Sequence, residues 1–266
     1  MWVSKTYPNK IQQEYSIKNK ICDVKGVKHH LEIFLSDTFL QIAKIDDNLY
    51  LQSFMKAKSE FLAHIGICSY KETPKRVLVA GGFNLELAYE LLKYDFLEVD
   101  FLQFDLKILE SLVGFFPHFK EVMEHKRFRH IPQTKEEFLE QNAQRKQEYD
   151  VIFDFTCKGG VENILAKEGI LITELPHLLL DIEDAKAKMA LLCEEFRVKM
   201  PFVLPLDYGM DNCFLLASKK YHPTADIALQ RADMLEDLEY YHPILHQSAF
   251  VLPKGIKNAL NGIAKN

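Results

Sequence analysis

Arg76-Val77-Leu78-Val79-Ala80-Gly81-Gly82-Phe83-Asn84-Leu85 decides the fold: an unbroken apolar strand ends in two glycines and runs straight into a helix. Consecutive apolar residues without alternation are what a strand buried on both faces requires, and such strands belong to parallel sheets covered by helices. Downstream, residues 99–104, 151–155 and 170–173 read as further buried strands, with helices over 85–94, 106–115, 135–142 and 182–196. This alternation predicts an α/β fold with a Rossmann-like, methyltransferase-type sheet. Residues 198–204 and 213–218 read as a closing antiparallel pair around turn residues Asp207 to Asn212, and the tail 225–266 as helical with a tyrosine-rich break.

Upstream the period changes. Leu31-Glu32-Ile33-Phe34-Leu35 and Gln41-Ile42-Ala43-Lys44-Ile45 are short β-like runs, and Asp46-Asp47-Asn48 supplies turn chemistry. A helix is expected over 53–67, closed by the polar stretch 69–75 with Pro74. The division expected is therefore a small N-terminal antiparallel β-domain over 1–70, ending in a helix, and a nucleoside-binding domain over 71–266 with C-terminal helices.

Composition narrows the function classes. The 266 residues are 48% hydrophobic, which suits a well-packed globular core, and the net charge of -5 comes with no basic tract, which excludes nucleic acid as a partner. No run of eighteen apolar residues occurs and Met1–Lys20 is polar and mixed in charge, so no membrane association is expected and a cytoplasmic location is. The five cysteines (Cys22, Cys68, Cys157, Cys193, Cys213) are odd in number and never closer than 20 residues, and read as reduced thiols. His242 and His246 have Pro243 between them and no third ligand, so no metal site is expected.

The candidate chemistry lies at strand ends. Gly81-Gly82 before a helix lets a ligand approach backbone amides, although glycine pairs also end strands for turn geometry alone. Gln103 and Asp105 close the second strand, where a nucleoside-binding sheet keeps the group that bonds ribose hydroxyls. Asp154 ends the strand 149–155 and can act as a base, hold a cation, or cap a helix. Glu174 stands at the same edge. Tyr240 and Tyr241 can line a pocket for a cation or pack the C-terminal helix. The pairs Glu136-Glu137 and Glu194-Glu195 read as solvated helix faces.

Two stretches carry a family resemblance. Pro74-Lys75-Arg76-Val77-Leu78-Val79-Ala80-Gly81-Gly82 resembles the glycine-rich loop of spermidine synthases, the polyamine aminopropyltransferases. The tail Tyr240-Tyr241-His242-Pro243-Ile244-Leu245-His246-Gln247-Ser248-Ala249-Phe250-Val251-Leu252-Pro253 resembles the family's paired tyrosines, His, Ala-Phe and Leu-Pro, and is the more specific of the two. Phe115-Phe116-Pro117, the strand from Tyr149 to Asp154 and Glu60 with His64 fall in the family's order. The resemblance implies a cytoplasmic homodimer that transfers an aminopropyl group from decarboxylated S-adenosylmethionine, a co-substrate, to a diamine such as putrescine, with no other cofactor. It further implies Asp154 as base, Gly81, Gly82, Asn84, Gln103 and Asp105 as donor-binding residues, and Tyr240, Tyr241 and Glu174 on the acceptor side.

The chain also departs from that pattern. Asn84 and Gln103 stand where the family has carboxylates, Cys157 replaces the second Asp of the loop after Asp154, no Asp-Gly element appears around Ile131-Pro132-Gln133-Thr134, and Lys58 replaces a Tyr. Each carboxylate-to-amide change forfeits a charge-assisted hydrogen bond, roughly 1–3 kcal/mol. Phe83 is expected to fill part of the nucleoside pocket or redirect the ligand, and the stem of Lys58 is expected to carry its ammonium to solvent. These losses motivate a competing reading, a homologue that keeps the fold as a binding or scaffold protein. A methyltransferase is a third, which the tyrosine-rich tail and the β-module oppose.

Overall fold

A twisted seven-stranded sheet and a four-stranded antiparallel one organise the computed structural model, which describes residues 1–156, 159–192, 195–206 and 211–265. In chain order, β1 (Trp2–Thr6) and β2 (Gln12–Ser16) form a hairpin, followed by β3 (Asn19–Lys25), β4 (His30–Ser36), β5 (Leu40–Ile45), β6 (Asn48–Leu51) and α1 (Gln52–Cys68). Next come β7 (Arg76–Ala80), α2 (Leu85–Leu92), β8 (Glu98–Leu102), α3 (Leu106–Val113), α4 (Phe119–Glu124), β9 (Phe128–Ile131), α5 (Lys135–Arg145) and β10 (Tyr149–Asp154). A short 3-10 turn leads to β11 (Leu165–Glu174), α6 (Ile182–Ala190), β12 (Val198–Val203), β13 (Cys213–Ser218), α7 (Leu229–Asp233), α8 (Pro243–Ala249) and α9 (Lys254–Ala259).

The large sheet runs β12-β13-β11-β10-β7-β8-β9, with β9, β8, β7, β10 and β11 parallel and β13 and β12 antiparallel at one edge. Successive residues of β7 explain its apolar run: Val77 and Val79 pack among α1 and α2, while Leu78 and Ala80 pack on the opposite face with Phe138 of α5. Strand order reverses between β7 and β10, the point at which open α/β sheets leave a crevice beyond the strand ends.

The continuous apolar strands and the β12/β13 pair lie where the sequence puts them, though the expected turn at Asp207 falls partly outside the described residues. Five strands went unread: β1, β2, β3, β6 and β9 are largely half-exposed or exposed, with polar residues facing solvent. The helix expected over 182–196 stops at Ala190, because Phe196 is buried and the chain must turn there to enter β12. The described cysteines Cys22, Cys68 and Cys213 are free thiols, whereas Cys157 and Cys193 lie outside the described residues, as does Glu194. Among the described residues no helix is long and apolar enough to cross a membrane.

The C-terminal tail is tied down by buried polar groups. The Glu60 carboxylate, wholly buried in α1, accepts from the backbone N–H groups of Glu239 (3.0 Å), Tyr240 (2.7 Å) and Tyr241 (2.6 Å). The Tyr241 hydroxyl lies 2.8 Å from His246 Nδ1, and His246 Nε2 lies 2.9 Å from the Pro223 carbonyl oxygen. That carbonyl can only accept, so Nε2 carries the proton, Nδ1 accepts from the tyrosine, and the ring is neutral.

Burial depresses the His246 imidazole to about 4 from an ordinary 6.5. Between those values the unfolded chain binds a proton that the native state refuses, so this contribution to stability is complete above the higher value and is lost as pH falls toward the lower. At about pH 5 the loss amounts to about 2 kcal/mol. Urea denaturation should show the wild type weakening between neutral pH and about pH 5 by that much more than His246→Gln; equal weakening would remove His246 as the acid-sensitive element.

Candidate active site

Beyond the carboxyl ends of β7, β8, β10 and β11 lies a cavity of about 570 Å³. Its floor begins with Gly81 and Gly82, at φ of 81° and 72°, a left-handed conformation that favours glycine. A Cβ on Gly81 would also stand 2.8 Å from Thr156 Cγ2, so this glycine serves both the turn and the close approach of the next loop. Asn84 follows as the N-cap of α2, its Oδ1 accepting from Glu86 N at 3.1 Å and its Nδ2 donating to Ser59 Oγ at 2.8 Å. Gln103 donates from Nε2 to the Gly82 carbonyl at 2.8 Å and accepts at Oε1 from Asp105 N at 3.1 Å. Both amides line the cavity, and each retains a second lone pair and a second N–H for a ligand.

Asp105 is elsewhere. Its buried carboxylate accepts from the backbone N–H groups of Val27 (2.9 Å), Lys28 (3.2 Å) and His29 (3.3 Å), and an added Cβ on Gly26 would stand 2.4 Å from it. It is absent from the cavity wall, and its geometry is that of an anchor for the β3–β4 turn. That turn delivers Lys28 and His29 to the cavity, where the His29 ring stands edge-on to Phe83 with centroids 5.0 Å apart. Phe83 packs into the core as well as lining the wall.

Asp154 sits behind the wall rather than on it. It is 3% exposed, and its Oδ1 accepts from Thr156 N at 2.9 Å and Thr156 Oγ1 at 2.6 Å. The Lys135 ammonium, at the first position of α5, donates to Thr156 Oγ1 at 2.7 Å and stands 3.6 Å from Asp154 Oδ2. Thr156 and Lys135 are the groups that face the cavity here.

Glu174 lines the opposite end, and Lys58 lies with it: the ammonium is 3.4 Å from Glu174 Oε1 and 5.2 Å from the centre of the Phe214 ring. Lys58 therefore turns inward, not to solvent, because the carboxylate and the aromatic face both attract its charge. The hairpin β1–β2 covers this end with Lys5, Tyr7 and Tyr15, and Lys5 pairs with Asp211. Tyr50 lines the wall between the two ends, and its hydroxyl is pushed far up by burial and then by the Glu174 carboxylate, so it stays a protonated donor.

Tyr240 and Tyr241 do not reach the cavity. Tyr241 is buried against His246 and Phe61, and both residues hang by their backbone on Glu60, so in place of a cation-binding wall they form the packing of the tail. His242 caps α8, its Nδ1 accepting from Ile244 N at 3.1 Å. Sequence reasoning passed over Tyr7, Tyr15, Tyr50, Lys135 and Thr156. Tyr50 and Lys135 had a signal, a polar group at the end of a strand or start of a helix; nothing in the polar hairpin pointed inward.

Comparison with known proteins agrees with this geometry. A family model described as the spermine/spermidine synthase domain matches residues 55–226. A polyamine aminopropyltransferase of Helicobacter acinonychis (strain Sheeba) is 37% identical over 265 residues, covering 98% of each chain. One from Helicobacter pylori (strain ATCC 700392 / 26695) is 35% identical over the full length of both. The solved spermidine synthase from Thermotoga maritima superposes with a TM-score of 0.86 at 20% identity, covering 98% of this chain and 94% of the other. A spermidine synthase in complex with the transition state analogue AdoDATO gives 0.87 at 20% identity and the same coverage.

If Asp105 is an anchor, removing its carboxylate takes the acceptor from three backbone N–H groups. Asp105→Ala should lower unfolding free energy by about 2–4 kcal/mol, read from urea midpoints, while the remaining folded protein binds methylthioadenosine with affinity within threefold or so of wild type. Unchanged stability with lost binding would return Asp105 to the ligand site.

Proposed function

The chain belongs to the spermine/spermidine synthase family, and we propose that it transfers an aminopropyl group from decarboxylated S-adenosylmethionine to a diamine such as putrescine. The observation that supports this most directly is an open cavity that reaches from the Gly81–Gly82 turn and Gln103 to Glu174. In this reading the donor nucleoside lies over Gly81 and Gly82 with Asn84 and Gln103 as its polar contacts, and the far ammonium of the acceptor pairs with Glu174. The open cavity favours this reading over that of a scaffold protein. Cytoplasmic residence, a homodimer and the division of the chain at residue 70 belong to the same proposal; the family resemblance supports the first two.

The reaction asks for position and for one proton transfer. The sulfonium is a good leaving group, so the acceptor nitrogen attacks the aminopropyl carbon, the C–N bond forms, the C–S bond breaks, and its electron pair stays on sulfur in methylthioadenosine. Before attack the acceptor must lose an ammonium proton. Asp154 is the proposed acceptor of that proton, acting through the Thr156 hydroxyl, which faces the cavity and already donates to Asp154 Oδ1 at 2.6 Å. Lys135 donates to Thr156 Oγ1 and stands beside the carboxylate, and so orients both.

A calorimetric titration with methylthioadenosine should give saturable micromolar binding, and a product assay with decarboxylated S-adenosylmethionine and 1,4-diaminobutane should then show transfer. Absence of binding at millimolar ligand would defeat the reading. For the relay, Thr156→Val and Asp154→Asn should each lower kcat about a hundredfold or more, and Thr156→Ser only about threefold. Methylthioadenosine affinity should hold in all three; a Thr156→Val variant with normal kcat would take Thr156 out of the proton path.

A further inference from the structure

Among the described residues, the acceptor end of the cavity carries lysines as well as carboxylates. Glu174 and Asp211 face Lys58 and Lys5 there, in a place that is to receive a dication. Lys58 is the informative member. Its ammonium is 3.4 Å from Glu174, a loose contact, and both side chains keep partial access to solvent, at 26% and 37% exposure. Either group can thus part from the other when a ligand offers a better partner, because neither is fixed by a close bond.

Resting on the aminopropyltransferase reading above, we propose that this end also accepts amines whose far terminus is a carboxylate, so that straight-chain ω-amino acids are aminopropylated at the same site. Asp154 and Thr173 are register partners on β10 and β11, so Thr156 and Glu174 leave neighbouring strands at one sheet edge. An acceptor with its reacting amine at Thr156 therefore extends its other end toward Glu174 and Lys58. A diamine places an ammonium there, pairs with Glu174 and must share the space with the Lys58 charge. An ω-amino acid places a carboxylate there, pairs with Lys58 and leaves Glu174 to solvent and to the protonated Tyr50 hydroxyl. The two arrangements mirror each other in charge: each pairs the ligand terminus with one member of the Lys58–Glu174 pair and sets it beside the like charge of the other, so this end holds a partner for either terminus. The bonds change as for a diamine: the neutral amine forms the C–N bond, the C–S pair returns to sulfur, and the displaced ammonium proton goes to Asp154. The product is an N-(3-aminopropyl) amino acid with methylthioadenosine.

The test compares 4-aminobutanoate with 1,4-diaminobutane, equal in length, at saturating decarboxylated S-adenosylmethionine, with products identified by mass spectrometry. The expected kcat/KM for the amino acid is at least about one-tenth that for the diamine. Lys58→Met should lower use of the amino acid about tenfold or more and that of the diamine by less than about threefold; Glu174→Gln should do the reverse. Methylthioadenosine affinity checks that each variant is folded. An amino-acid rate below that fraction, or a Lys58→Met effect equal on both acceptors, overturns the inference while transfer to the diamine leaves the underlying reading standing. No methylthioadenosine formed with either acceptor overturns both.

Discussion

The buried Asp105 carboxylate holds the β3–β4 turn against the end of β8 through three backbone N–H groups, and the cavity depends on that contact. Without it Lys28 and His29 would not stand over Phe83 and Phe104, and the crevice at the switch point would be an open sheet edge. Glu60 does the same for the tail, accepting from three consecutive N–H groups. A carboxylate oxygen that takes several amide hydrogen bonds has a fixed position, which suits an anchor. The chain thus spends two buried acids on joining segments far apart in sequence, and the Asp105 joint delivers Lys28 and His29 to the cavity.

The wall that results is aromatic and amide-rich where a site for cations would ordinarily be acidic. Tyr15, Tyr50, Phe54, Phe83, Phe104 and Phe155 line it, and the polar groups nearest the glycine turn are Asn84 and Gln103. Losing two charge-assisted bonds costs roughly 1–3 kcal/mol each, while an aromatic face offers a desolvated cation about 0.5–2 kcal/mol. Several faces together offset much of that loss. Discrimination then shifts from the donor to the acceptor end, where the carboxylates and lysines remain.

How far the sequence discloses this follows from which forces act locally. The strands β7, β8, β10 and β11 were legible because each is buried on both faces and so is apolar throughout. The hairpin β1–β2 was not, because its residues alternate between solvent and a small satellite core of Val3, Ile17, Phe34 and Ile42 that forms only after folding. Among the candidate residues, Gly81, Gly82, Asn84, Gln103 and Glu174 line the cavity, in keeping with the rule that crevices lie beyond parallel strand ends. Asp105 and Tyr241 obeyed the same positional logic yet face inward, since a side chain's direction depends on partners from distant segments, Gly26–His29 for one and His246 for the other. Lys58 was misjudged for a related reason: its inward turn depends on Glu174, 116 positions away.

Lys135 ties structure to chemistry most tightly. A lysine at the first position of a helix meets the positive end of the helix dipole, an unfavourable place for a cation, and this one is 8% exposed. Asp154 and Thr156 offset that cost, and in return Lys135 gives a nearly buried carboxylate a partner of opposite charge. The pair cannot be split cheaply, because removing either charge strands the other in a dry wall. Thr134 caps α5 with a complete capping box, so the helix start itself does not need Lys135. What the ammonium serves is the Asp154 carboxylate and the Thr156 hydroxyl, which it ties together at the cavity wall.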